Sequence, residues 1–153
     1  MIRKFKFEDE IHESLQCVPM AVRRKLDRVG LKVGLESWKA LDRGERLAIC
    51  HLPSNSPDEC DALAVFIREA MLRRFGTEPK SLTDTQRAGA EPPSTPPELL
   101  VARARETGFD LNDSIWSRLD GDERFALMKM GADSKPSHNL GAALKEFQVP
   151  AAR

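Results

Sequence analysis

Apolar positions recur at helical spacing through most of the chain. Phe5 and Phe7 lead into Ile11 and Leu15, with Glu8, Asp9 and Glu10 in the first turn, where acidic side chains favour the helix dipole. This pattern predicts a short helix over about 8–15. Val22, Leu26 and Val29 repeat at i, i+4, i+7 behind Pro19, which suits a first helical position, and Gly30 supplies a C-terminal cap. A helix over 19–29 follows, with Arg23, Arg24, Lys25 and Arg28 expected on its outer face. Leu35, Trp38 and Leu41 form a further stripe. Asp42 and Glu45 have the spacing of a capping box that restarts the helix, with Leu47 and Cys50 on its apolar face. Ser56, Pro57 and Glu59 open the longest predicted helix, 57–75, whose stripe of Leu63, Phe66, Ile67, Ala70 and Met71 ends at Arg73, Arg74 and Gly76. Beyond Phe5 and Phe7 no segment alternates in the manner of a strand.

Residues 77–96 lack apolar periodicity and are rich in Thr, Ser and Pro, so they read as a linker between a first half, 1–76, and a second, 97–153. Moving the sequence by 78 positions lays Pro19 on Pro97, Gly30 on Gly108, Trp38 on Trp116, Leu41 on Leu119, Asp42 on Asp120, Glu45 and Arg46 on Glu123 and Arg124, and Ala48 on Ala126. The matched positions are helix starts, caps and core aromatics. They predict an all-α chain built by internal duplication of a three-helix unit, with a last helix over about 139–148 answering to 57–75. Gly30, Trp38, Glu45, Arg46, Gly108, Trp116, Glu123 and Arg124 are its structural positions. Trp38 and Trp116 are expected in the core, and the two arginines beside local acids or the other half.

The 153 residues carry 24 basic and 24 acidic side chains, with 41% apolar. Folding a chain of this size buries roughly 68–70% of the unfolded surface, so no structural metal is required. Zero net charge argues against general nucleic-acid or membrane-surface binding. The longest apolar run, 62–67, falls far short of the roughly 20 residues that cross a bilayer. No apolar segment follows the first basic residues as in a secretory signal, and three irregularly spaced cysteines suit a reducing compartment; a cytoplasmic location is expected.

Chemistry is sparse. Cys17 lies just before the helix that Pro19 begins, with Arg23 and Arg24 one turn inside, a setting that can favour a thiolate. No base is identified nearby, and burial as a small core residue is the default for Cys17, as for Cys50 and Cys60. His12, Cys17, Cys50, His51 and Cys60 supply enough donors for zinc, but at none of its usual spacings. His138 sits near the expected cap of the last helix and earns no role. No Gly-rich phosphate loop or nucleophile elbow is present. A DNA-binding reading of the basic helix 19–29 would need a second helix to seat it in the major groove and a wider basic footprint.

The stretch from Phe5 to Arg46 resembles the start of the conserved nitrate reductase-associated protein family. The resemblance rests on Phe5-x-Phe7-Glu8, Ser14-Leu15, Cys17-x-Pro19-Met20, Val22-Arg23, Lys25-Leu26-Asp27, Gly30, Leu35, Trp38 and Glu45-Arg46. It covers about a third of the chain. It implies a non-enzymatic accessory protein that supports maturation, assembly or activity of an assimilatory nitrate reductase, an enzyme of molybdopterin and often iron-sulfur chemistry. The implied partner is the reductase apoenzyme or its maturation machinery. No catalytic residue, metal or cofactor carries over to this chain. The partner-binding candidates are Cys17, Pro19, Met20, Arg23, Lys25, Asp27 and Arg28. Without the resemblance the expectation is a helical interaction domain, or a regulator using the helix 19–29.

Overall fold

A computed structural model describes residues 2–132 and 137–153. The chain divides into two compact units, Met1–Ala90 and Glu91–Arg153, and is mostly helical.

In the first unit a single helical turn, Lys6–Glu8, runs into α1 (Asp9–Ser14), which ends at Leu15 in the left-handed conformation. Phe5 and Phe7 stack with ring centroids 5.3 Å apart, so their alternation marks a ring pair rather than a strand. Helix α2 (Met20–Val29) has Pro19 as its N-cap and Gly30, at φ 83°, as its C-cap. Strand β1 (Leu31–Lys32) leads to α3 (Leu35–Ala40) and α4 (Arg43–His51), and α4 opens on the Asp42–Glu45 capping box. Helix α5 (Pro57–Phe75) is capped by the Ser56 side chain and by Gly76. Its Arg73 and Arg74 reach the Glu45 carboxylate at 2.8 and 3.0 Å, and Arg74 also meets Asp42 at 2.7 Å. The core packs Val22, Leu26 and Val29 with Trp38, Leu41, Ile49, Leu63, Ile67 and Met71. Leu47, expected on the apolar face of α4, is 38% exposed.

The segment read as a linker is partly built into this unit. Strand β2 (Lys80–Ser81) pairs antiparallel with β1, Leu31 opposite Ser81, so the fold is not wholly helical. Helix α6 (Asp84–Ala88) follows, started by a capping box between Thr83 and Gln86. It packs on α2, and Ala90 is buried. Short elements of this kind bury too few apolar residues to show periodicity and are fixed instead by backbone pairing and caps.

The second unit holds α7 (Glu98–Glu106), α8 (Asp113–Arg118), α9 (Gly121–Gly131) and α10 (Leu140–Glu146). Features of the first unit recur 78 residues on. Pro97 is the N-cap of α7, Gly108 has φ 98°, and Asp120 with Glu123 forms the capping box of α9. Trp38 and Trp116 are both fully buried, and their indole N–H groups donate to Leu15 O at 2.8 Å and Pro93 O at 2.9 Å, again 78 positions apart. Arg46 and Arg124 do not pair with acids as expected. Their Nε atoms donate to Trp38 O and Trp116 O at 3.2 and 3.0 Å, and their Nη2 atoms to Lys39 O and Ser117 O, so each guanidinium closes the turn after its tryptophan helix. Each unit nevertheless holds more than three helices, and α10 is far shorter than α5.

Candidate functional site

The candidate residues lie on the turn from α1 to α2 and along α2. The turn is braced from below. Leu15 is buried at φ 54°, a conformation that costs a branched residue roughly 1 kcal/mol or more. Its carbonyl accepts from Trp38 Nε1 and, at 3.4 Å, from Arg46 Nη1, while Arg43 donates to Glu13 O and Ser14 O. At the far end the buried Glu8 carboxylate accepts the Met20 N–H at 2.7 Å, serving an unbonded donor of the first turn of α2 that Pro19 leaves without a side-chain cap.

Cys17 stands on this braced turn and is exposed, against the expectation of burial. The turn is too tight, with Leu15, Val18 and Pro19 directed inward, to bury the intervening Gln16 and Cys17 as well. Arg23 is exposed nearby, its Nε donating to Val18 O at 3.3 Å. Pro19 is buried, and Met20 half-buried.

The basic outer face expected on α2 is largely consumed by the fold. Arg24 is buried, its Nε donating to Ala90 O at 2.8 Å. The Lys25 ammonium donates to the carbonyls of Ile49, Cys50 and Leu52 at 3.0, 2.8 and 2.6 Å, closing the C-terminal end of α4, where a cation also favours the helix dipole. Asp27 and Arg28 are half-buried, and Arg28 O accepts from Arg87. None of this was legible in α2 alone, because the acceptors lie 24 to 66 positions away in sequence.

Cys50 is buried, and burial raises its thiol above the ordinary value despite the nearby Lys25 and Lys4 charges. Cys60, expected to be buried, is partly exposed, with its thiol 3.4 Å from Ser54 O. His12 Nε2 lies 3.7 Å from Glu8 Oε1, too long for a hydrogen bond. Burial, assisted by the Lys4 charge, holds the imidazole below its ordinary value even though Asp9 acts the other way. Sequence reasoning missed Glu8 as the remote cap of α2; its place in the Phe-x-Phe-Glu run was the only signal. Among the described residues no group of three or more His, Cys, Asp or Glu side chains is arranged to hold a metal ion. A surface pocket of about 270 Å³ lies between Lys32, Ser37, Phe75 and Lys80, apart from this turn. Among the described residues no helix is long and apolar enough to cross a membrane.

No curated protein matches the chain, and no solved structure does. Residues 4–147 match the family described as conserved nitrate reductase-associated protein, which extends the likeness from the first third to nearly the whole length and takes in both compact units. The chain therefore belongs to the conserved nitrate reductase-associated protein family.

Proposed function

We propose that this chain is a non-enzymatic accessory protein that binds a molybdenum-dependent nitrate reductase, or the machinery that matures it, through the turn between α1 and α2. The family's description as nitrate reductase-associated supports this choice of partner. The observation that supports the surface is the braced turn itself: Leu15, Trp38, Arg46 and Glu8 hold both ends of a strained segment whose crest presents Cys17 to solvent. A preformed, exposed crest loses little conformational entropy on binding. Arg23 adds a cation at its edge. Of the seven candidates, Cys17 and Arg23 are exposed, Met20, Asp27 and Arg28 are half-buried, and Pro19 and Lys25 act within the fold.

Purified reductase apoenzyme retained on the immobilised chain tests this reading. Arg23→Glu and Cys17→Trp are expected to weaken retention at least tenfold while leaving the helical signal intact. Undiminished retention by both variants would remove the turn from the interface. A DNA-binding reading of α2 is not favoured, because Arg24 and Lys25 spend their donors on Ala90 and on the end of α4.

The recurrence at an offset of 78 supports reading the two units as copies of one helical unit. Proline cap, left-handed glycine, buried tryptophan, capping box and turn-closing arginine recur in the same order, and the indole acceptors, Leu15 and Pro93, keep the offset though their side chains differ.

A further inference from the structure

The two units differ in one place that has a direct structural precedent. In the first unit α6 and the residues after it cover α2. Arg87 donates to Arg28 O at 3.0 Å, and its side chain lies so close over Gly30 that an added Cβ would stand 3.0 Å from its Cδ and Nε. Ala90 receives the Arg24 guanidinium. Under this cover Ala21, Arg24 and Gly30 are buried.

The second unit builds the same platform. Phe109 pairs with Ala151 as Leu31 pairs with Ser81, and Ala152 N donates to Gly108 O at 2.9 Å as Leu82 N donates to Gly30 O at 2.8 Å. Among the described residues, however, nothing takes the place of Arg87: a Cβ on Gly108 would meet no atom within 4 Å. Leu99, Ala102 and Gly108, which stand where Ala21, Arg24 and Gly30 stand in the first unit, are all exposed, Leu99 by 47%. The charge has changed as well. Met20, Arg28 and Lys32 of the first unit are replaced by Glu98, Glu106 and Asp110, so acids stand at the two ends of the open face and beside Gly108, while the exposed Arg105 replaces Asp27 between them.

We propose that the outer face of α7, from Leu99 and Ala102 to Glu106 and Gly108, receives a short basic helical segment of a partner protein. An arginine in the last turn of that segment lies across Gly108 toward the Glu106 carbonyl and carboxylate, as Arg87 lies across Gly30. Small residues follow it over Ala102, as Gly89 and Ala90 follow Arg87. A guanidinium suits the position because it can donate to a backbone carbonyl and a carboxylate together. This goes beyond the accessory reading and does not depend on which protein the partner is.

The probe is a synthetic peptide of residues 80–90, titrated into the full-length protein and followed by backbone amide shifts. Expected are shifts at Leu99, Ala102, Glu106 and Gly108, with at least tenfold weaker binding for the Arg87→Ala peptide and for the wild-type peptide against the Glu106→Lys protein. No shifts at peptide concentrations of about 1 mM, equal binding by the Arg87→Ala peptide, or shifts confined to α2 would overturn the proposal. So would a concentration-dependent dimer that Leu99→Arg makes monomeric, since the face would then belong to a second copy.

Discussion

Lys25 shows how a residue placed for recognition by its sequence is taken up by the fold. Lys25→Met keeps the apolar stem but withdraws the ammonium from the carbonyls of Ile49, Cys50 and Leu52. A loss of about 1.5–3 kcal/mol is expected, read as a lower urea midpoint at unchanged slope. Glu45 carries a pH-dependent share of stability. Burial raises its carboxyl, but the Asp42 N–H and the Arg73 and Arg74 guanidinium groups outweigh burial and hold it below the ordinary 4.5. A carboxyl depressed in the folded state stabilises above its unfolded value, and that share is lost as pH falls through the folded value. The stability gap between wild type and Glu45→Gln should therefore be full above pH 4.5 and shrink below it in acid titrations of unfolding. Thiol labelling of the native protein should proceed fastest at Cys17, more slowly at the half-buried Cys60, and at Cys50 only on unfolding. Equal rates at Cys17 and Cys50 would contradict the burial assigned here.

At the scale of elements, α4 and α5 were legible because their signals are local: Asp42 with Glu45, Ser56 before Pro57, and Gly76 after the last apolar turn. Segment 77–90 reads as a linker from apolar periodicity, a signal that elements as short as β2 and α6 do not carry. The Thr83-x-x-Gln86 capping box was present in the sequence and was the overlooked signal. The amides of Arg87, Gly89 and Ala90, bonded to Thr83, Gln86 and Arg87 carbonyls, should show measurable hydrogen-exchange protection that Thr83→Ala reduces, for a cap worth about 1 kcal/mol. Exchange at unprotected rates would return the segment to a linker. Within the candidate site, Cys17 and Arg23 were legible as chemistry and Arg23 as outward-facing, but the exposure of Cys17 was not. It follows from the inward turn of Leu15, Val18 and Pro19 and from bonds to Trp38, Arg46 and Glu8.

At the scale of the whole molecule, the family match spans both units, and each unit repeats the same buried tryptophan with its turn-closing arginine. Trp38→Ala and Trp116→Ala should each cost about 3–5 kcal/mol, monitored by thermal unfolding. The proposed accessory role concerns what the chain does for a nitrate reductase. Nitrate reductase activity in a strain lacking this gene, measured together with the molybdenum content of the purified reductase, tests that role most directly. Low activity restored by the wild-type chain but not by Arg23→Glu is expected, with low molybdenum content if the role is maturation. Unchanged reductase activity in the deletion strain would contradict it.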